Sequence, residues 1–356
     1  MTDDAESIDG SSGRLSGSLA LFRAESVGIV ALLVGLAFVL GPFQVNTPAS
    51  LSVLFEIGVL FLVYGLLVLG VNLHYGFTGL INFGHVAFFA VGAYAMGMLS
   101  ARDPFAGIGL GLPWPVGLAG AVLAAAVLGA VLGLTTLRLR DDFLAIVTIA
   151  TAEIVQDLVG SFEGITGADV GLLNIPRPIY DLAGGDGDSA VVATIVLFTG
   201  VLLLSYAVLR RLTDAPYGDV LRAIRDDELV ARALGKPAFD YKFQVFVYGT
   251  ALAGLAGGLW ALYLGAISPG YFTIDVTITL YIAMYVGGIG THRGALLGLV
   301  IIIGLRLVTR FLNEAAPITQ SQFASARLFL IGFVLVLIIR YRPEGILGNR
   351  KELGID

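Results

Sequence analysis

Long apolar runs constrain this chain more than any other feature of its sequence. A helix needs about 20 mostly apolar residues to cross the hydrocarbon core of a membrane. Runs of this kind recur along the 356 residues. They are Ser26–Phe43, Leu51–Val71, Gly79–Leu99, Pro113–Leu137, Phe143–Phe162, Ser189–Leu209, Phe243–Gly265, Val276–Gly290, Ala295–Phe311 and Ala324–Arg340. The sequence therefore predicts an all-α polytopic protein of the cell membrane, with about ten transmembrane helices in contact with the lipid bilayer.

Composition agrees with that class and excludes several others. Charged residues make up 13% of the chain, whereas a soluble domain carries about 25%. The net charge of −6 argues against nucleic acid as a partner. Because the chain has no cysteine, disulfides and thiolate metal sites are excluded. The three histidines, His74, His85 and His292, do not form a metal-binding pattern, so we expect this chain to bind no metal or cofactor.

The two ends of the chain differ from its apolar body. Residues 1–22 are rich in Ser, Gly and Asp and contain no apolar run, which predicts a disordered cytoplasmic tail. They lack the charged-then-apolar layout of a cleavable signal peptide. Residues 23–342 are predicted to form the transmembrane domain, and residues 343–356 a second cytoplasmic tail.

The distribution of basic residues predicts the orientation, because cytoplasmic loops collect Lys and Arg. With the N-terminus inside and ten spans, all but five of the 21 basic residues fall on the inner side. The exceptions are Arg102, Arg177, Arg306, Arg310 and Arg327. The predicted outer loop between the fifth and sixth spans carries acidic residues instead. The charges therefore favour an even number of spans with both termini in the cytoplasm.

The segment Thr213–Lys242 is the longest charged stretch on the predicted inner side. Pro216 near its start and Gly235 near its end are helix start and stop signals, and its apolar residues recur at roughly helical spacing. The pattern predicts one short amphipathic helix with i,i+4 ion pairs Arg222–Asp226 and Glu228–Arg232. Two interpretations stay open: a basic loop lying on anionic lipid, or a docking helix for another protein.

Polar side chains cluster with glycines in and before the third predicted span. The cluster consists of Asn72, Gly76, Thr78, Gly79, Asn82, Gly84 and His85. Glycines beside polar side chains are typical of broken helix that lines a cavity in a membrane protein. The alternative is tight packing of helices through small residues. These residues are candidates for a translocation path.

Glu153 lies inside the fifth predicted span. A charged side chain at the middle of a bilayer costs about 2.5–3.5 kcal/mol on insertion scales. Such a residue is therefore either paired within the structure or placed at a pathway, and Glu153 joins the path candidates on that ground.

The charged loop carries a pattern that resembles a known family. The pattern consists of Arg222, Ala223, Ile224, Arg225, Asp226 and Glu228, followed by Ala231, Leu234 and Gly235. It is similar to the cytoplasmic EAA-type loop of permeases from ATP-binding-cassette (ABC) importers. In that family the loop forms a coupling helix that docks on the ATPase, and the resemblance implies this role for these residues. Val230 departs from the pattern, since a small residue is common there.

Three further stretches narrow the resemblance to the M-type subunit of the branched-chain amino-acid permeases. One runs from Gly70 to Tyr94, the second from Leu137 to Ile154, and the third is the glycine-rich stretch that begins at Gly287. Thr291-His292-Arg293 brings more charge into the third stretch than the family usually has. The motifs follow the family's order over roughly residues 51–345.

The resemblance implies a permease subunit of an ATP-driven importer. It implies as partners a second homologous permease subunit, two ABC ATPase subunits and an extracellular solute-binding protein. The implied cargo is a branched-chain amino acid or another small amino acid or amide, and related permeases handle urea. The Gly235-Lys236 pair is followed by Pro237 and does not match a P-loop, so ATP hydrolysis is expected on a partner chain.

A rival hypothesis from the residues is a secondary transporter of a small polar solute, driven by an ion gradient. Such a protein would place acids near the middle of the membrane, and Glu153 is the candidate. A coupling helix requires an ATPase, whereas an ion-driven carrier does not, so the loop Thr213–Lys242 discriminates between the two hypotheses.

Overall fold

The fold was obtained as a computed structural model. The structure describes residues 48–102, 107–139, 141–185 and 187–315, together with residues 329, 332–333, 335–336, 340–341 and 345–348. The predicted span Ser26–Phe43 lies outside the described residues, and Ala324–Arg340 lies mostly outside them.

Helices dominate the described part of the chain. They are α1 (Pro48–Val71), α2 (His85–Ser100), α3 (Trp114–Thr136), α4 (Asp141–Ser161), α5 (Glu163–Thr166), α6 (Pro178–Leu182), α7 (Gly187–Thr213), α8 (Pro216–Asp226), α9 (Glu228–Ala233), α10 (Ala238–Leu264), α11 (Ile274–Gly287) and α12 (His292–Ala315). Short 3₁₀ turns lie at Ala168–Val170 and Pro269–Tyr271, and a π-helical turn at Asn72–Gly76. Within the described ranges, the β-type pairing consists of one antiparallel bridge between Leu172 and Ile267.

Six of the described helices are long and apolar enough to cross a membrane. Their crossing segments are Phe55–Gly76, Trp114–Thr136, Asp142–Ser161, Ser189–Thr213, Ala238–Leu264 and Pro269–Gly287. Two shorter apolar segments, α2 (His85–Ser100) and the first part of α12 (His292–Leu305), accompany them. The prediction of an all-α polytopic membrane protein is therefore confirmed, while the count of ten spans and the cytoplasmic termini stay predictions.

Two helices form the centre of the bundle. α10 packs against α1, α2 and α3, and α1 packs in addition against α7 and α12. The crossing segments of both helices are mostly buried, whereas only about a third or less of each crossing segment of α3, α4 and α7 is buried. We call the end of the bundle that carries α8 and α9 the loop end, and the opposite end, which carries α5 and α6, the far end.

The third predicted span starts later than the apolar run suggested. Helix α2 begins at His85 and not at Gly79, so the predicted start was wrong. The π-helical turn and a non-helical stretch at residues 79–84 separate α1 from α2. Gly79 has a φ of +73°, a left-handed conformation that glycine adopts readily and that ends the helix. The expectation of broken helix around these glycines is thus confirmed.

Replacing Gly92 by Ala is expected to destabilise the bundle. A Cβ atom at Gly92 would lie 2.3 Å from the Gly254 carbonyl oxygen and 2.5 Å from its Cα, so α2 and α10 would have to separate. Overpacking of this kind costs about 1–3 kcal/mol. Thermal unfolding in detergent should show a lower Tm for Gly92→Ala. A Cβ atom at the control position Gly200 meets no neighbouring segment within 4 Å, and Gly200→Ala should not lower the Tm because Ala favours the helix. An unchanged Tm for Gly92→Ala would contradict the close approach.

Candidate functional site

The loop Thr213–Lys242 folds into two helices, so the prediction of a single amphipathic helix was wrong. Pro216 occupies the first turn of α8, as its missing N–H permits. The break falls at Asp227, which is extended and whose carboxylate accepts hydrogen bonds from the main-chain N–H groups of Leu229 (2.8 Å) and Val230 (3.0 Å). Asp227 is therefore the N-cap of α9.

One side of this helix pair is anchored on the bundle. Leu221 and Ile224 of α8 and Ala231 of α9 are buried. Tyr217 donates a hydrogen bond to Oε1 of Gln244 on α10 at 3.2 Å. Burial, with smaller contributions from neighbouring tyrosines, raises the pKa of Tyr217 to about 12, so the phenol keeps its proton at neutral pH and remains the donor. The motif residues Ile224 and Ala231 thus hold the loop in place.

Glu228 connects α9 with α10. Its carboxylate accepts hydrogen bonds from Lys242 at 2.5 Å and from Arg232. The predicted pair Glu228–Arg232 is therefore confirmed. The predicted pair Arg222–Asp226 was wrong, because Arg222 pairs with Asp219 at 3.0 Å, one turn in the other direction, and Asp226 pairs with Arg225 at 3.1 Å.

The other side of the helix pair faces away from the bundle and is apolar in part. Leu229 is 75% exposed, Val230 54% and Leu234 74%. The motif residues Ala223, Asp226 and Gly235 are exposed as well. We call the three apolar residues, Leu229, Val230 and Leu234, the exposed apolar patch. The EAA-type motif is thus divided between side chains that pack against the bundle and side chains that are exposed.

Arg225 connects α8 with the π-helical turn that follows α1. Its Nη1 donates to the Gly76 carbonyl at 2.7 Å, where the π-helical turn ends. The side chain is only 12% exposed, and its Cγ would lie 3.5 Å from a Cβ at Gly79. A movement of α8 would therefore act directly on the segment where α1 gives way to the irregular stretch.

A chain of hydrogen bonds forms a second connection from α8 into the bundle. The Gly290 N–H donates to Oδ1 of Asn72 at 3.0 Å, and the Asn72 amide donates to Nδ1 of His292 at 3.4 Å. Nε2 of His292 lies 3.1 Å from Oγ1 of Thr213. The Thr213 carbonyl accepts from Nη2 of Arg222 at 3.3 Å. Arg222 is thereby linked to the turn between α11 and α12, beside a cavity of about 350 Å³.

His74 organises the polar residues deeper in the bundle. Its Nε2 lies 3.0 Å from the Phe246 carbonyl. Because a carbonyl only accepts, Nε2 carries the proton and Nδ1 accepts from the Asn82 amide at 3.3 Å. The Asn82 N–H donates to the Tyr281 hydroxyl at 2.9 Å, and the Thr78 hydroxyl to the His74 carbonyl at 2.5 Å. These bonds join α1, α10 and α11 around the irregular stretch.

The path candidates near α1 and α2 lie inside the bundle. Asn72, Gly76, Thr78, Asn82, Gly84 and His85 are buried, and Gly79 is half-buried. The rings of His85 and His74 meet edge to face, 5.4 Å apart, and Gly84 lies against the Thr148 carbonyl of α4. The structure therefore brings these residues together in a tightly packed interior, and their role in a path stays a prediction.

Glu153 lies apart from this cluster, on the exposed side of α4. One interpretation of its sequence position was a buried pair within the structure. Within the described part of the chain, Glu153 is exposed and not buried in such a pair. Among the described residues, no three His, Asp or Glu side chains lie close enough to share a metal ion.

Several residues of the site were missed in the sequence. His74, Thr213, Tyr281 and His292 make the connections described above, yet none was a site candidate. His292 had a detectable signal, since a polar residue at the start of an apolar run is costly unless it has a partner. The others have partners far away in sequence, which a single sequence does not indicate.

Replacing Asn72 by Leu is expected to destabilise the protein. The buried Gly290 N–H and Nδ1 of His292 would both lose their partner, and an unsatisfied buried group costs about 1–3 kcal/mol. Thermal unfolding should show a Tm several degrees lower. Thr135→Val removes a hydroxyl that bonds within the exposed face of α3 and should leave the Tm unchanged; an equal Tm for both variants would contradict the assigned connection.

Comparison with known proteins gives the class. Residues 53–339 match the family described as branched-chain amino acid transport system, permease component. Since this match covers most of the chain, the chain belongs to the branched-chain amino acid transport permeases and is a multi-pass membrane protein.

Individual relatives place the chain with the M-type members of that family. It is 32% identical to the high-affinity branched-chain amino acid transport system permease protein LivM of Escherichia coli, over 91% of this chain and 75% of the relative. It is 27% identical to the probable LivM of Methanocaldococcus jannaschii, over 81% of this chain and 91% of the relative. It is also 27% identical to the permease protein LivH of Escherichia coli, over 80% of this chain and 91% of the relative. No solved structure matches the chain.

Proposed function

We propose that this chain is the permease subunit of an ATP-driven importer and that it couples to a separate ATPase through α8 and α9. The observation that carries the proposal is the two-sided helix pair. One side is anchored and reaches the end of α1 through Arg225, whereas the exposed apolar patch faces outwards. A loop that only lies on lipid needs no such connection to the interior.

We further propose that the loop end is cytoplasmic. Basic residues collect there, among them Arg138, Arg210, Arg211, Arg232, Lys236, Lys242 and Arg293, which is the bias of cytoplasmic segments. Helix α12 starts at this end and rises about 36 Å over 24 residues. The Leu347 N–H nevertheless donates to the Gly287 carbonyl at 2.8 Å, back at the loop end. Leu347 therefore lies at the same end of the bundle as the start of α12.

The proposed partners are a second homologous permease subunit, two ABC ATPase subunits and an extracellular solute-binding protein. The proposed location of the assembly is the plasma membrane. The likeness to both LivM and LivH, two differently named permease proteins of a branched-chain amino acid transport system, supports a pair of permeases. The proposed cargo is a branched-chain amino acid or another small amino acid or amide, since the relatives carry branched-chain amino acid transport in their names.

Purification of the tagged chain from native membranes in a mild detergent tests this proposal. Mass spectrometry of the co-purifying proteins should identify a P-loop ATPase and a second permease in stoichiometric amounts. Recovery of the chain alone in several mild detergents would overturn the proposal and favour a carrier that works without an ATPase.

A further inference from the structure

The helices at the periphery of the bundle differ in their outer faces. The exposed apolar residues of α3 include Leu123 and Val127, and those of α7 include Val196 and Leu204. Between residues 114 and 136 of α3, and between residues 189 and 209 of α7, the sequence contains no charged residue. Both outer faces therefore suit contact with lipid tails.

The exposed side of α4, unlike those of α3 and α7, carries charged residues. Leu144, Thr148 and Ala152 point to the bundle and are buried, while the opposite side is exposed. That side consists of Phe143, Ile146, Ile149, Ala150, Glu153, Ile154, Asp157 and Leu158. We call these eight residues the outer face of α4. Two carboxylates thus lie on an otherwise apolar and exposed helix face.

Glu153 lies near the middle of α4, away from the helix ends where a charge would meet the membrane–water interface. At a rise of about 1.5 Å per residue, Glu153 lies about 18 Å from the start of α4 at Asp141 and about 12 Å from its end at Ser161. Both distances are close to half of the ~30 Å hydrocarbon core. A carboxylate at this depth on a lipid-facing side would have to be protonated or to distort the bilayer, so this face meets something more polar than lipid.

We infer that the outer face of α4 is this chain's wall of the translocation pathway. Glu153 then faces water and cargo, and a second permease subunit closes the pathway on the opposite side. This inference rests on the proposed function and specifies which surface of the chain carries it. The carboxylate gives the pathway a local preference for cationic groups such as the ammonium group of an amino acid.

Thiol labelling in the assembled complex tests the inference, because the chain has no cysteine of its own. Single substitutions Ala150→Cys and Ile154→Cys sample the outer face of α4. Val127→Cys on α3 and Val196→Cys on α7 are matched controls, since Ile154 is 58%, Val127 61% and Val196 68% exposed. Membranes are treated with a charged, membrane-impermeant thiosulfonate, and labelling is read on the purified, tagged chain.

The inference predicts that both α4 positions react at least tenfold faster than both controls. Reaction at α4 no faster than at the controls overturns it, whether lipid, a partner or another part of this chain covers the face. Failure of the inference can be distinguished from failure of the proposed function. An ATPase that fails to co-purify contradicts the importer, while water-accessible α4 positions would still define a pathway in another kind of carrier.

Discussion

Replacing Leu229 and Leu234 together by Asp is expected to remove the ATPase from the complex. Both side chains are about three-quarters exposed, at 75% and 74%, and neither contributes to the packing of the loop. Apolar anchors at the centre of an interface often contribute about 2 kcal/mol or more each, and charges at such positions are unfavourable. We therefore expect the affinity for the ATPase to fall roughly a thousandfold, because about 1.4 kcal/mol corresponds to a factor of ten. The measurement is the amount of ATPase recovered with the tagged chain.

A matched control excludes a general effect of surface charge. Leu182 in α6 is 87% exposed and lies at the far end, so Leu182→Asp should leave recovery of the ATPase unchanged. The double variant should unfold at the wild-type temperature, because its altered side chains are exposed. Full recovery of the ATPase with the double variant would show that the exposed apolar patch is not the docking surface and would favour a loop that lies on lipid.

Replacing Arg225 by Ala is expected to uncouple ATP hydrolysis from transport while leaving the complex assembled. The variant loses the hydrogen bond from Nη1 to the Gly76 carbonyl, and hydrogen bonds to charged groups contribute about 1.5–3 kcal/mol. Since about 1.4 kcal/mol corresponds to a factor of ten, we expect transport to fall at least tenfold. ATP hydrolysis should continue but lose its stimulation by cargo.

Arg211→Ala is the control for this variant, because Arg211 is an exposed arginine at the same end of the bundle. It should transport at the wild-type rate. Arg225→Lys keeps the charge but shortens the reach to the Gly76 carbonyl and should fall between wild type and Arg225→Ala. Transport and cargo-stimulated hydrolysis at wild-type levels in Arg225→Ala would contradict the role of this contact in coupling.

The membrane-spanning helices could be predicted from sequence because crossing a bilayer is a local requirement. Length and apolarity alone located α3 as Pro113–Leu137, against Trp114–Thr136 in the structure. The break between α1 and α2 was predictable from local sequence as well, since Gly79 and its polar neighbours disfavour continuous helix. The exact start of α2 at His85 was not, because the apolar residues before it continue the run.

Contacts between distant segments could not be predicted from the sequence. Arg225 and Gly76 are separated by 149 positions, and Asn72 and His292 by 220, and no local pattern pairs them. The break at Asp227 was hidden because helical spacing of apolar residues continues across it. The EAA-type motif covers α8 and α9, but it did not separate Arg225 and Ile224, which face the bundle, from Leu234, which faces away.

Uptake by reconstituted vesicles tests the central claim most directly. The complex purified through this chain is placed in proteoliposomes with ATP inside, and labelled leucine and its solute-binding protein are supplied outside. The account predicts leucine uptake that requires internal ATP and stops with a non-hydrolysable analogue. Uptake that proceeds without ATP and follows an imposed proton or sodium gradient would contradict it and establish an ion-driven carrier.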